Sequence, residues 1–149
     1  MKTKLGSGDY VYEELEDWGE LPDGWSFKEV VDVAVDSQDR VYVFNRGERP
    51  MIVFDRAGEL LASWGEGRYV RPHGVAVDGE DNLYLTDDMG HFVRKTTPDG
   101  EELMTLGVPG GPAAWQGGEP FNRPTHTAIH PATGDLFISD GYGNSRVHR

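Results

Sequence analysis

Cysteine is absent from the 149 residues, so no disulfide holds the fold, and any metal must be taken by histidine, carboxylate or backbone oxygen. Basic residues are scarce as well: 14 Lys and Arg stand against 26 Asp and Glu, for a formal net charge of -12. They are also scattered, which excludes a nucleic-acid backbone as partner, because phosphate recognition needs clustered cations. An acidic balance of this size favours solubility, cationic partners or metal ions. No apolar run approaches the roughly 18 residues that a membrane-spanning helix needs. The first eight residues, Met1 to Gly8, carry lysines with no apolar segment behind them, so no signal peptide is visible. Together with the missing cysteines this fits a reducing, cytoplasmic setting. A hydrophobic content of 37% is lean, yet enough for one all-β domain with a core.

What is present is a repeat. Val75 and Val77 alternate with Gly74 and Ala76, the polar run Asp78 to Asn82 turns the chain, and Leu83-Tyr84-Leu85 alternates again before Thr86-Asp87. That is a hairpin of two short strands. The same layout occurs upstream over Val33 to Phe44, where Tyr42 precedes Tyr84 by a step of 42 residues, and downstream over Thr127 to Asp140. Each hairpin is followed by more of the unit. Met51 to Asp55 reads as a third strand and Glu59 to Gly65 as a fourth, with a turn at Gly58; His91 to Thr96 and Glu101 to Leu106 repeat this around Gly100. Four antiparallel strands in about 42 residues make one propeller blade.

The expected fold class is therefore all-β, a propeller of four-stranded antiparallel blades, with no helix beyond a single turn. The chain reads as a single partial propeller domain over 1–149: an outer strand of a split blade at 10–19, blades over 30–65 and 72–107, and three strands of a third blade over 125–149. The first of these rests on Tyr12 to Gly19, where Trp18-Gly19-Glu20 falls as Trp64-Gly65-Glu66 does. Three blades are too few to close a ring, since propellers have roughly four to eight. The expectation is half of a six-bladed ring, completed by more chain or by a second copy in a homodimer whose Tyr12 to Gly19 pairs beside Ser145 to Arg149. Between blades, Gly107 to Arg123 is the longest irregular stretch, and it reads as a functional loop or as a structural cover. Asp23-Gly24-Trp25 reads as a turn with an anchored aromatic.

The residues resemble a family at this point. Repeats of this pattern are similar to NHL repeats, which build six-bladed β-propellers, and the resemblance covers nearly the whole chain. More narrowly, Val41 to Gly47, Arg71 to Val75, Arg123-Pro124-Thr125 and the run Gly134 to Arg146 resemble peptidyl-α-hydroxyglycine α-amidating lyase, which splits a hydroxylated C-terminal glycine into a peptide amide and glyoxylate. The resemblance implies that His73 is one of three zinc-binding histidines at the propeller axis. It implies that Arg46 engages the substrate, that Tyr142 is the base that removes the hydroxyl proton, and that the backbone carbonyls of Val33 and Val75 bind a structural calcium. In that chemistry zinc lowers the pKa of the bound hydroxyl and a nearby cation favours the tyrosinate. Two departures stand out. The other two zinc histidines belong to later blades, and Gly143 stands where the animal enzymes have a disulfide-bonded cysteine.

Plainer roles are available to the same residues: strand capping for His73, a packed aromatic for Tyr142, and a bridge between blades for Arg46. His126 and His130 point to one face of a strand about 13 Å apart, too far to share a metal. His91 and His148, on third strands, are expected to be exposed, and Asp36, Asp78 and Asp140 are expected to be turn residues bonding nearby amides. Two functions follow: a zinc-assisted lyase acting on a small peptide or amide-like substrate, or a non-catalytic NHL propeller that binds a peptide or protein partner.

Overall fold

The structure, a computed structural model, describes residues 4–149. A short hairpin, β1 (Lys4–Ser7) and β2 (Tyr10–Glu13), stands by itself. The first full blade is β3 (Val30–Val35), β4 (Val41–Asn45), β5 (Met51–Phe54) and β6 (Leu60–Trp64), in that spatial order. The second is β7 (Pro72–Val77), β8 (Leu83–Asp87), β9 (Phe92–Thr96) and β10 (Glu102–Gly107). The third has β11 (His126–Ile129), β12 (Leu136–Asp140) and β13 (Arg146–His148), with one helical turn, α1 (Gly141–Asn144), between the last two. All pairing is antiparallel, and the expected all-β blade architecture is what forms. Among the described residues no helix is long and apolar enough to cross a membrane.

The burial pattern explains why the second strands read as almost unbroken apolar runs. Tyr42 and Phe44 of β4 point to the second blade, where they meet Val75, Leu83 and Leu85. Val43, between them, points the other way and packs with Ile52 and Phe54 against Trp18, Leu21 and Trp25. One repeat later, Leu83 and Leu85 face back to the first blade, whereas Tyr84 joins Val93, Phe121 and Ile138 between the second and third blades. Both faces of a central strand are thus buried, and each fully buried large side chain contributes roughly 1.5–3 kcal/mol.

The strand expected at 10–19 forms only over Tyr10–Glu13, and it pairs with Lys4–Ser7. The two-residue Gly8-Asp9 connection makes that partner the nearest one available. Residues 14–19 leave the strand and turn, with the Trp18 N–H donating to the Leu15 carbonyl at 3.3 Å. Trp18 nonetheless takes the place that the repeat assigns to it. A Cβ on Gly58 would lie 3.1 Å from the Trp18 ring, and a Cβ on Gly100 would lie 2.7 Å from the Trp64 ring. Each tryptophan therefore covers the turn glycine of the next blade, and both glycines have positive φ, 93° and 85°. Trp25 is anchored as expected, with the Arg49 guanidinium 3.9 Å from its ring centre.

The hairpin turns hold two carboxylates, Asp36 buried and Asp78 half-buried. Asp36 accepts the N–H groups of Gln38 and Arg40, the Arg40 guanidinium and the Tyr42 hydroxyl. Burial alone would raise its pKa, but these bonds outweigh it and hold the carboxyl below the usual value. Asp78, 42 residues on, is lowered in the same way: burial opposes, while Lys95 and the amides of Asn82 and Glu80 prevail. A group whose pKa is depressed in the folded state stabilises above its unfolded value and loses that contribution as pH falls through the folded one. Urea midpoints should therefore hold down to about pH 4 and fall steeply below it. The double variant Asp36→Asn, Asp78→Asn should be less stable near neutrality and lose less on acidification; an unchanged acid slope would show that other carboxylates dominate.

Candidate functional site at the mouth of the blades

At one end of the sheets the first strands begin and the second strands finish, and there each blade buries one polar side chain at the end of its second strand. These are Asn45, Asp87 and Asp140, all fully buried. Asn45 accepts the Gly47 N–H at 2.8 Å and donates to the Arg49 carbonyl at 2.8 Å, which shapes the loop that carries Arg46. Asp87 accepts the Arg71 N–H at 2.9 Å and the Gly90 N–H at 2.7 Å, which fixes the entry to β7 and so the place of His73. Asp140 accepts the Asn122 N–H at 3.1 Å, the Asn144 side-chain amide and His148 Nε2 at 3.0 Å, which sets the turn that carries Tyr142. Asp140 is accordingly not a hairpin-turn residue. In the third hairpin the turn amides of Ala132 and Thr133 go instead to His130 Nδ1.

The irregular stretch before β11 is a brace for this end. Phe121 enters the core between the second and third blades. The Gln116 N–H donates to the Gly143 carbonyl at 2.8 Å, and the Gly118 N–H to Asn144 Oδ1 at 3.1 Å. Gly143 returns a bond to the Asn122 carbonyl at 2.9 Å, and a Cβ there would lie 2.2 Å from Asn122 Cγ. Where the resemblance places a cross-linked cysteine, this chain holds its turn by hydrogen bonds and close backbone approach. The same brace covers His91 and His148, which are half-buried rather than exposed. His91 Nδ1 accepts the Arg123 N–H at 3.2 Å, and the His148 ring lies 5.0 Å from that of Phe121.

Two of the site residues picked out from the sequence come together. The rings of His73 and Tyr142 meet edge to face with centres 5.9 Å apart, one from the second blade and one from the third. His73 Nδ1 is 2.9 Å from the Thr125 carbonyl, a contact that needs the proton on Nδ1 and leaves the Nε2 lone pair free. Tyr142 is 48% exposed, so its ring is open to a ligand from the mouth. Arg46 lies at the first seam: its Nε donates to the Pro72 carbonyl at 3.0 Å, one residue before His73, and its Nη1 to Glu29 at 2.8 Å. It reaches the second blade through a backbone carbonyl rather than a carboxylate, and it faces the same mouth.

Val33 and Val75 are linked by a residue that the sequence did not single out. Asp32 accepts the Val33 N–H through one carboxylate oxygen and the Val75 N–H through the other, both at 2.9 Å. His126 Nδ1 lies 3.4 Å from the same Asp32 carboxylate. Asp32 and Gly74, one repeat apart, sit beside His126 on the adjacent first strands, and a Cβ on Gly74 would come 2.6 Å from His126 Nδ1. Among the described residues, no group of three or more His, Cys, Asp or Glu forms a metal-binding cluster.

A second missed feature lies between the second and third blades. Asp88, fully buried, takes Arg71 at 3.4 Å and Arg123 at 2.9 Å on a single oxygen. The Arg123 guanidinium carbon is 4.5 Å from the Tyr142 ring centre.

No protein-family model matches the chain. It is 32% identical over 171 residues to peptidylglycine alpha-amidating monooxygenase of Rattus norvegicus, which covers 95% of this chain and 17% of that protein. It is 40% identical over 93 residues to peptidyl-alpha-hydroxyglycine alpha-amidating lyase 1 of Drosophila melanogaster, over 60% of this chain and 16% of that one. NHL repeat-containing protein 3 of Homo sapiens is 32% identical over 127 residues, 77% of this chain and 36% of that one. The chain thus spans well under half the length of each. Among solved structures, a streptogramin B lyase propeller superposes on 93% of this chain and 41% of its own, with a TM-score of 0.58 at 15% identity, a likeness of fold.

Proposed function

We propose that this chain, whose homologues are amidating monooxygenases, hydroxyglycine lyases and an NHL-repeat protein, supplies the Arg46, His73 and Tyr142 side of a lyase site. That site cleaves a hydroxyglycine-extended substrate to an amide and glyoxylate. The observation that carries the reading is the His73–Tyr142 contact, with His73 Nδ1 bonded to a backbone carbonyl and Nε2 left unbound. A carbonyl on one ring nitrogen is how proteins orient a histidine whose other nitrogen ligates a metal. His73 therefore fits one position of a zinc shell, and zinc there would supply acidification of the substrate hydroxyl. Val33 and Val75 are joined through Asp32, and in this reading their backbone carbonyls would supply the hard oxygen ligands that calcium takes.

The chain's own groups account for the rest. Arg46, Arg71 and Arg123 gather at the mouth of a chain of net charge -12, which favours entry of the carboxylate end of the substrate. The Tyr142 oxygen takes the proton of the substrate hydroxyl. The electron pair left on the substrate oxygen then forms the C=O bond as the C–N bond breaks, and the departing amide nitrogen takes that proton back from Tyr142. Atoms balance: one hydroxyglycine extension becomes one amide and one glyoxylate.

The reading includes completion of the ring by a second copy. Val33 and Val35 on the outer face of the first blade and Val147 on that of the third are each more than half exposed, and a partner would cover them. One preparation tests both parts. The purified chain is given a peptide ending in α-hydroxyglycine, with and without zinc, and glyoxylate and mass by light scattering are measured. Zinc-dependent release is expected, reduced about 10²- to 10⁴-fold in Tyr142→Phe. His73→Ala should weaken zinc binding at least about 10-fold while His91→Ala changes it little. A folded dimer that releases no glyoxylate under either condition overturns the lyase reading, and a monomer mass removes the second copy from it.

A further inference from the structure

The resemblance leaves unnamed the cation that would stand beside Tyr142. Arg46 is committed to Pro72 and Glu29. The guanidinium over the Tyr142 ring, 4.5 Å from its centre, belongs to Arg123. Two contacts and its backbone conformation hold Arg123 in place. Its Nη2 reaches Asp88 Oδ2 at 2.9 Å, its N–H donates to His91 Nδ1 at 3.2 Å, and its backbone sits at φ 66° just before Pro124. Asp88 is fully buried and takes Arg71 on the same oxygen. Among the described residues, Arg123 Nε and Asp88 Oδ1 are buried without a hydrogen-bond partner.

We propose that Arg123, anchored by Asp88, is the positioning residue that holds the Tyr142 ring against His73, an inference that rests on the reading of Tyr142 as the proton acceptor. A guanidinium is drawn to the electron-rich face of a phenol ring. Its planar fork, fixed by a buried carboxylate, holds that ring in one orientation, which the point charge of a lysine does not do. The ring is half exposed and its turn is short, so without Arg123 little else on that side fixes it. Arg71 remains on Asp88 when Arg123 is replaced, so the buried carboxylate keeps a cation and the fold should tolerate the change. A non-glycine residue already occupies φ 66°, so a substitution there adds no new backbone strain.

The test uses the full chain labelled with 3-fluorotyrosine, the Tyr142 resonance being assigned by its loss in Tyr142→Phe. In the parent chain His73→Ala should move that resonance, because the two rings touch. In Arg123→Met the resonance should shift and lose this response to His73→Ala, with the melting temperature held within a few degrees, and Arg123→Lys should restore the response only in part. In the glyoxylate assay kcat should fall about 10-fold or more in Arg123→Met, with KM within about 2-fold, because a misplaced base affects chemistry more than binding. A Tyr142 resonance that keeps its position and its response to His73→Ala in Arg123→Met overturns the proposal. If the parent chain releases no glyoxylate while the response is lost in Arg123→Met, positioning stands and the lyase reading falls. If turnover is present and the response is unchanged, the reverse holds.

Discussion

Asp140→Ala is expected to destabilise the chain by about 3–5 kcal/mol, a large part of the 5–15 kcal/mol that holds a typical domain together. The carboxylate is fully buried and serves three groups: the Asn122 N–H, the Asn144 amide and His148 Nε2. Removing it leaves those groups unsatisfied in a site that water does not freely enter, at about 1–3 kcal/mol for each one that finds no new partner. Asp140→Asn keeps the shape and one acceptor, so its cost should be smaller. The loss is also directional. Asn144 closes the turn on which Tyr142 sits, and Asn122 joins that turn to the brace, so the His73–Tyr142 contact should loosen before the second blade unfolds. Urea unfolding gives the first quantity and the Tyr142 fluorine resonance the second. A cost below about 1 kcal/mol would mean that the buried end of the third blade is not held as described.

Asp140 marks the border between what is legible in the sequence and what is not. The 42-residue step, the alternation and the glycines at 58 and 100 were enough to place the full blades, because strand pairing and turn geometry are local and repeat with the chain. Asp140 reads as a turn residue when it is grouped with Asp36 and Asp78 as a repeated aspartate. Matching the alternation would have placed it correctly: Ile138-Ser139-Asp140 corresponds to Leu85-Thr86-Asp87, and His130 falls where Asp78 does. The His73–Tyr142 meeting was legible only through resemblance, since it joins two blades. Arg123 and the burial of His91 and His148 were not legible at all. They depend on how an aperiodic stretch folds over the third blade, and no periodicity marks those contacts in the chain. The N-terminal strand failed for a related reason, because a two-residue turn offered Tyr10–Glu13 a closer partner than any blade.

Phe54→Ala should cost about 3–5 kcal/mol, and the more informative result is how much of that cost depends on Trp18. Phe54 is fully buried on the first blade, and the segment ahead of that blade packs against it. The Trp18 ring is 5.4 Å away and the Phe27 ring 6.1 Å, with Leu21 and Trp25 completing the cluster. Trp18 is seated by its own hydrogen bond to the Arg56 carbonyl at 3.1 Å. Trp18→Ala alone should therefore cost about 2 kcal/mol, less than Phe54→Ala because the indole is only half-buried. The double variant should fall short of the sum by roughly 1 kcal/mol, the coupling expected of two rings in contact. The consequence reaches the mouth through Glu29, which follows this segment and whose carboxylate and carbonyl both hold Arg46. A loosened segment should free that arginine, so Trp18→Ala should raise KM for a carboxylate-ended substrate more than it lowers kcat. Costs that add without coupling would show that residues 14–27 do not rest on the first blade in solution. The Trp18–Gly58 and Trp64–Gly100 contacts would then lose their equivalence, and the seat of an adjoining blade would have to be sought on the bare face of Val33 and Val35.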